Sequence, residues 1–308
     1  MKGIIYTTTG QRDRAVTRNY HNSPDAINHS IGAKDVDVKN IKSKVKSTCP
    51  RNTNYRSNYT IGFEIEKSRF DMDFQREYAL LKGYEYDGSC GVEAITNILP
   101  LLPPSQWRNK IFDMIYKAKG IIDDETSPSN YDCGGHTTLQ VDGVQARDLY
   151  KSIRLNASIL MAMFRYRLKN EYCRYNLRME YQHHIGSEGQ IGDTPSFNGG
   201  IRGRHWHHKY QFCLLKNVEN LIEFRVPSRI TSYKQLFRRY EVMYEIVDFS
   251  ITKPNGRFSS LLNKVRPIVL SMYGNDAEKT DMVLSLAKDF RKFIKDGRIS
   301  NSIREFLI

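Results

Sequence analysis

Between Tyr59 and Glu66 the sequence reads Tyr-Thr-Ile-Gly-Phe-Glu-Ile-Glu, and from Ile61 onward apolar and other residues alternate strictly. A period of two marks a strand with one buried face, so Ile61, Phe63 and Ile65 share one side and Gly62, Glu64 and Glu66 the other. Two carboxylates on one strand face stand about 7 Å apart and repel unless a cation lies between them. A solvated strand face also carries glutamates, so this stretch alone does not identify a site.

Two later segments repeat the design. Gly135 to Val141 places His136, Thr138 and Gln140 on one face and Thr137, Leu139 and Val141 on the other. Asn220 to Val226 sets Glu223 and Arg225 against Ile222, Phe224 and Val226. Joined in one antiparallel sheet, the three strands would pack their apolar face on helices. Their other face would be a concave platform of metal-ligating and phosphate-binding groups.

The chain has 308 residues, 40% of them hydrophobic, enough for a core of one large domain or two smaller ones. Its net charge of +13 points to an anionic partner such as nucleic acid, nucleotide or an acidic protein. Five cysteines, odd in number and without close CxxC pairs, speak against a disulfide framework or a zinc ribbon and fit a reducing cytoplasm. The start lacks a signal-peptide apolar run, and no apolar stretch reaches the length of a membrane span, so neither secretion nor membrane insertion is expected.

Residues 1–56 are polar and hold 11 Lys and Arg against 4 Asp, a net of +7. They read as an extended basic arm that is either solvated or docks on nucleic acid or an acidic protein. Residues 57–308 read as one catalytic domain, helical from about residue 232. Asp71 to Gly83 is expected to be helical in part. Asp87-Gly88 signals a turn, and the apolar run after it, ending at Pro100, reads as a strand carrying Glu93. A buried acid needs a partner or a metal, which makes Glu93 a candidate ligand.

Ser105 is placed to cap a helix reaching Lys119, ended by Gly120, with Trp107, Ile111, Met114, Ile115 and Ala118 as its core stripe. Gly134 and Gly135 permit close backbone approach before His136. The spacing of Leu149, Ile153, Ala157, Leu160, Phe164 and Leu168 predicts one long helix over about 144–172. Its charged face includes Arg165, the arginine expected to reach a site. Gly186 to Arg204 is a long loop that reads as a flap. It leads into His205, His207 and His208, which fit a metal tract less well than loop decoration. Helices are expected from Ser232, near Ser259 to Tyr273 and near Ala277 to Lys295, the last burying Met282, Val283, Leu286, Phe290 and Phe293. The chain has no dinucleotide fingerprint and no Walker loop.

Taken in order, Gly62-Phe63-Glu64-Ile65-Glu66, Asp87-Gly-Ser followed by Glu93, Cys133-Gly134-Gly135-His136 and Glu223-Phe224-Arg225 resemble the signature of the amidoligases. These belong to the glutamine synthetase-like carboxylate-amine ligases, many of them encoded by phages and mobile elements. The resemblance covers about residues 59–250. It implies an α+β, glutamine synthetase-like fold whose antiparallel sheet binds ATP and Mg²⁺ on an open concave face, with helices on the other. It implies Glu64, Glu66, Glu93 and Glu223 as metal ligands, His136 at the metal and phosphate site, Arg225 on the transferring phosphoryl group and Asp87 near the substrate. The family usually has a second histidine where this chain has Thr138, which can donate to a phosphate but ligates metal poorly.

The chemistry agrees with that resemblance. Mg²⁺ prefers oxygen ligands, and a carboxylate must be activated before an amine can displace its oxygen; ATP does this by forming an acyl phosphate. The expected activity is therefore an ATP- and Mg²⁺-dependent ligase acting on small-molecule or peptide carboxylates and amines. The alternatives are a catalytically retired member of the fold, acting as a phage structural or nucleic-acid-binding protein through its basic arm, and a metal-dependent nuclease or phosphatase.

Overall fold

The computed structural model describes residues 5–6, 59–67, 78–87, 91–96, 99–123, 133–170, 173, 212–216 and 221–307. The expected flap over 186–204, the histidine tract at 205–208 and nearly all of the basic arm lie outside them. The chain is α+β, with an antiparallel sheet and a set of helices. It divides into two compact units: residues 1–143 with 219–221 and 228–237, and residues 144–218 with 222–227 and 238–308.

The first unit is built on the acid-bearing strand, β2 (Tyr59–Lys67). Two-residue β1 (Ile5–Tyr6) pairs in parallel with β3 (Leu81–Asp87), which forms an antiparallel pair with β4 (Gly91–Thr96). On its other side β4 meets β2, and β2 in turn meets β6 (Thr137–Val141), both antiparallel. Short β5 (Leu99–Pro100) adds a second partner at the start of β2. Leu81–Gly83, the end of the stretch expected to be helical in part, opens strand β3, and residues 71–77 of that stretch lie outside the described residues.

The alternation in β2 has its expected consequence on one face, where Ile61, Phe63 and Ile65 are at most 1% exposed. Lys67 follows them on this face and is also buried, with its ammonium donating to the Ile121 and Ile122 carbonyls at 3.0 and 2.6 Å. Those carbonyls end α2 (Lys119–Ile122), so a charged side chain satisfies acceptors at a helix C-terminus. Helix α1 (Gln106–Lys117) starts as the sequence predicts, with Ser105 Oγ accepting from the Arg108 N–H. It ends before Gly120, which falls inside α2 rather than stopping a helix.

The second unit replaces the expected long helix with shorter pieces: α3 (Ala146–Ile153), α4 (Ser158–Met163) and a 3₁₀ turn at Arg165–Arg167. The break at 154–157 is held by Asn156, whose side chain donates to Ser250 Oγ at 2.8 Å and accepts from Arg291 at 2.6 Å. Strands β7 (Cys213–Lys216) and β8 (Leu221–Phe224) lie side by side. Helices α5 (Tyr233–Thr252), α6 (Phe258–Met272), α7 (Ala277–Asp296) and α8 (Asn301–Leu307) complete the chain. Helix α7 packs on α4 and buries Val283, Leu286, Phe290 and Phe293 as expected. Met282, expected to join them, is 42% exposed because it falls outside that stripe. Among the described residues no helix is long and apolar enough to cross a membrane.

Candidate metal centre

The register of the first unit turns separate motifs into one constellation. Glu66 lies directly opposite Glu93 across the β2–β4 ladder. His136 comes one residue before β6 and extends its pairing with β2, since the Glu64 N–H donates to the His136 carbonyl at 3.1 Å. Thr138 lies opposite Gly62, on the face that Glu64 shares. The carboxylates of Glu64, Glu66 and Glu93 come within 4.8 Å of one another.

These groups are not on an open surface. Glu64, Glu66 and Glu93 are 2, 4 and 2% exposed, and His136 and Thr138 are also buried. The acids are thus buried rather than solvated, as they would be on a plain surface strand. Burial makes mutual repulsion of carboxylates costly, because water no longer screens them. A polar hydrogen placed among them offsets part of that cost, and His136 Nδ1 takes such a position. It bonds Glu64 Oε2 and lies 3.2 Å from Glu66 Oε1, between the two strand-mates.

Gly134 fixes the other side of Glu66, its N–H donating to Oε2 at 2.5 Å. The segment is itself anchored by a bridge between Gly134 and Ser228. A Cβ on Gly134 would meet His136 Nε2 at 2.9 Å and Glu66 Oε1 at 3.1 Å. The close approach anticipated for Cys133-Gly134-Gly135 is therefore made to two site side chains.

The donor set fits a hard divalent cation: three carboxylates on rigid strands offer clustered oxygens, which suit Mg²⁺ better than a softer metal. Glu64, Glu66 and Glu93 would hold it. Thr138 Oγ1 is buried and has no hydrogen-bond partner among the described residues, a costly state for a hydroxyl. A phosphate oxygen would satisfy it.

Asp87, Glu223, Arg225 and Arg165 complete the predicted set. Asp87 ends β3 with its Cα opposite Gly91, and its side chain lies outside the described residues. Glu223 and Arg225 belong to the second unit and form a buried ion pair with each other at 2.5 Å. Ile222, Phe224 and Val226 are fully buried, as the alternation predicts. Arg165 is also in the second unit and is engaged in packing. Its guanidinium donates to the Ala162 carbonyl at 3.2 Å, lies 4.5 Å from the Tyr166 ring centre and 5.6 Å from that of Phe306 in α8.

One position escaped the sequence reading. The backbone register places Glu85 of β3 opposite Glu93, which continues the row begun by Glu66. The signal for it was the Tyr84-Glu85-Tyr86 alternation, which becomes informative only once the pairing of β3 with β4 is known. No protein-family model, curated protein or solved structure matches this chain, so the site rests on its own residues.

Proposed function

We propose that the chain is an ATP- and Mg²⁺-dependent ligase that joins a carboxylate to an amine, on a sheet of the glutamine synthetase-like kind. The observation that carries this reading is the convergence of the Glu64, Glu66 and Glu93 carboxylates on adjacent strands, with His136 between two of them. When bound, Mg²⁺ and ATP supply phosphoryl transfer, which converts an unreactive carboxylate into an acyl phosphate that an amine can attack.

The chain's own residues supply the rest. Glu64, Glu66 and Glu93 hold the cation, and the Gly134 N–H keeps Glu66 turned toward it. The Thr138 hydroxyl donates to a phosphate oxygen. Burial of the whole group keeps water from competing with the amine for the activated acyl group. The resemblance adds Arg225 as the charge that steadies the moving phosphoryl group. ADP is the leaving group when the acyl phosphate forms; the amine then displaces phosphate and gives up a proton, leaving an amide or isopeptide bond.

Thr138, standing where a second histidine is usual, favours one other reading, a member of the fold that no longer catalyses. Mg²⁺-dependent ATP hydrolysis, measured with and without a pool of amino acids and polyamines, separates the two. Turnover that rises with an added acid or amine and disappears in Arg225→Ala supports the ligase. Failure of the chain to bind nucleotide in Mg²⁺ leaves the non-catalytic reading.

A further inference from the structure

Helix α1 carries more aromatic surface than its packing requires. Trp107, Ile111, Met114 and Ile115 are buried and account for its core face. Phe112 and Tyr116, one turn apart, lie on a different face and are 36 and 42% exposed. Their rings stack with centres 6.4 Å apart, and Tyr233 at the start of α5 meets them at 6.1 and 5.3 Å. Beneath them, buried Phe237 contacts Phe112 edge-on at 4.9 Å and holds its ring in place. Three preoriented rings therefore form one contiguous patch within the first unit, independent of the metal centre.

The rim of the patch is basic. Lys119 and Lys234 are both exposed. Lys119 Nζ lies 4.7 Å from the Tyr116 ring centre and donates to its hydroxyl at 3.4 Å, while Lys234 Nζ lies 6.0 Å from the Tyr233 ring centre. The acids of α1 and α2's end are already engaged: Asp113 pairs with Lys117 at 2.7 Å, and Asp123 accepts the Tyr233 N–H at 2.6 Å. Exposed rings edged by ammonium groups match a ligand with flat apolar faces on an anionic backbone. The chain's +13 charge favours the same ligand over a basic or neutral protein surface.

We propose that Phe112, Tyr116 and Tyr233, with Lys119 and Lys234, form a platform that binds single-stranded nucleic acid, its bases stacking on the rings and its phosphates meeting the lysines. Duplex, whose bases are already stacked on one another, binds this platform poorly.

The test is fluorescence anisotropy on the full chain with short deoxy and ribo oligonucleotides of one sequence, and their duplex, at low and high salt. Wild type is compared with Phe112→Ala/Tyr116→Ala and with Lys119→Glu/Lys234→Glu, and circular dichroism checks the fold of each. The lysine variant touches no buried side chain, so it keeps the test valid if the aromatic variant fails to fold. The platform predicts tighter binding of single strands than of duplex and a loss of about tenfold per ring removed. The lysine variant binds more weakly, with a flatter salt dependence. A sugar preference with this same ring dependence supports the platform and says which polymer it takes. The proposal is overturned if wild type does not bind, or if both variants bind like wild type, which would place binding elsewhere, as on the basic arm. It is equally overturned if the substitutions only dissolve a self-associated species seen in sedimentation and leave oligonucleotide affinity unchanged.

Discussion

Gly134 sits against both carboxylate oxygens of Glu66: its N–H donates to one at 2.5 Å, and a Cβ on the glycine would stand 3.1 Å from the other. The same Cβ would come within 2.9 Å of His136 Nε2. Gly134→Ala therefore displaces the imidazole and tilts Glu66, although the backbone itself has no need of a left-handed conformation there. We expect Mg²⁺ affinity to fall by about 10- to 100-fold, the usual effect of disturbing groups that orient metal ligands. Calorimetric titration with Mg²⁺ checks this; unchanged affinity would remove Gly134 from the centre.

Glu93→Gln separates charge from shape. Glu93 faces Glu66 directly across two strands, and like charges so placed oppose folding. In metal-free buffer the variant should be as stable as wild type or more stable by up to about 1 kcal/mol. Added Mg²⁺ should raise the melting temperature of wild type and leave that of Glu93→Gln almost unmoved, since only the native wild-type site binds it. Equal stabilisation of both by Mg²⁺ would exclude Glu93 as a ligand.

Lys67→Met tests a structural contact at the far end of the same strand. The ammonium satisfies the Ile121 and Ile122 carbonyls, and a thioether of similar length cannot. A loss of about 2–3 kcal/mol is expected in denaturant unfolding, from charged hydrogen bonds removed in a buried setting. A change below the error of the midpoint would show that water takes over those carbonyls.

Alkaline pH should weaken the fold in part through Tyr273. Burial raises its phenol pKa above 10.0, an effect that the nearby Arg165 charge partly opposes. The phenol is thus harder to ionise in the folded chain than in the unfolded one. Its contribution is fully present below pH 10.0 and is lost as pH rises toward the folded value. Stability of Tyr273→Phe, followed by urea unfolding from neutral pH to above pH 10.0, should decline less steeply than that of wild type. Parallel declines would contradict this assignment.

The sequence makes local periodicity legible and long-range register illegible. Alternation from Ile61 to Glu66 shows both faces of β2, and Ser105 and Ser232 mark helix starts where the structure has them. Nothing local says that Glu66 pairs with Glu93, because that depends on how β4 returns along β2. Glu85 was missed for the same reason. The long helix expected over 144–172 failed because its apolar spacing persists through the break. The interruption is fixed by Asn156 reaching Ser250 and Arg291, far away in sequence. Burial of these acids was equally hidden, since glutamates at alternate positions look alike on an exposed and a buried strand.

The central claim is that Glu64, Glu66 and Glu93 form a divalent cation site that serves a nucleotide. Mn²⁺ standing in for Mg²⁺ can be titrated into wild type and Glu64→Gln and followed by electron paramagnetic resonance, with and without ATP. The account predicts saturable Mn²⁺ binding to wild type that ATP tightens, and loss of that binding in Glu64→Gln with the fold intact. Indistinguishable titrations of the two proteins would contradict it.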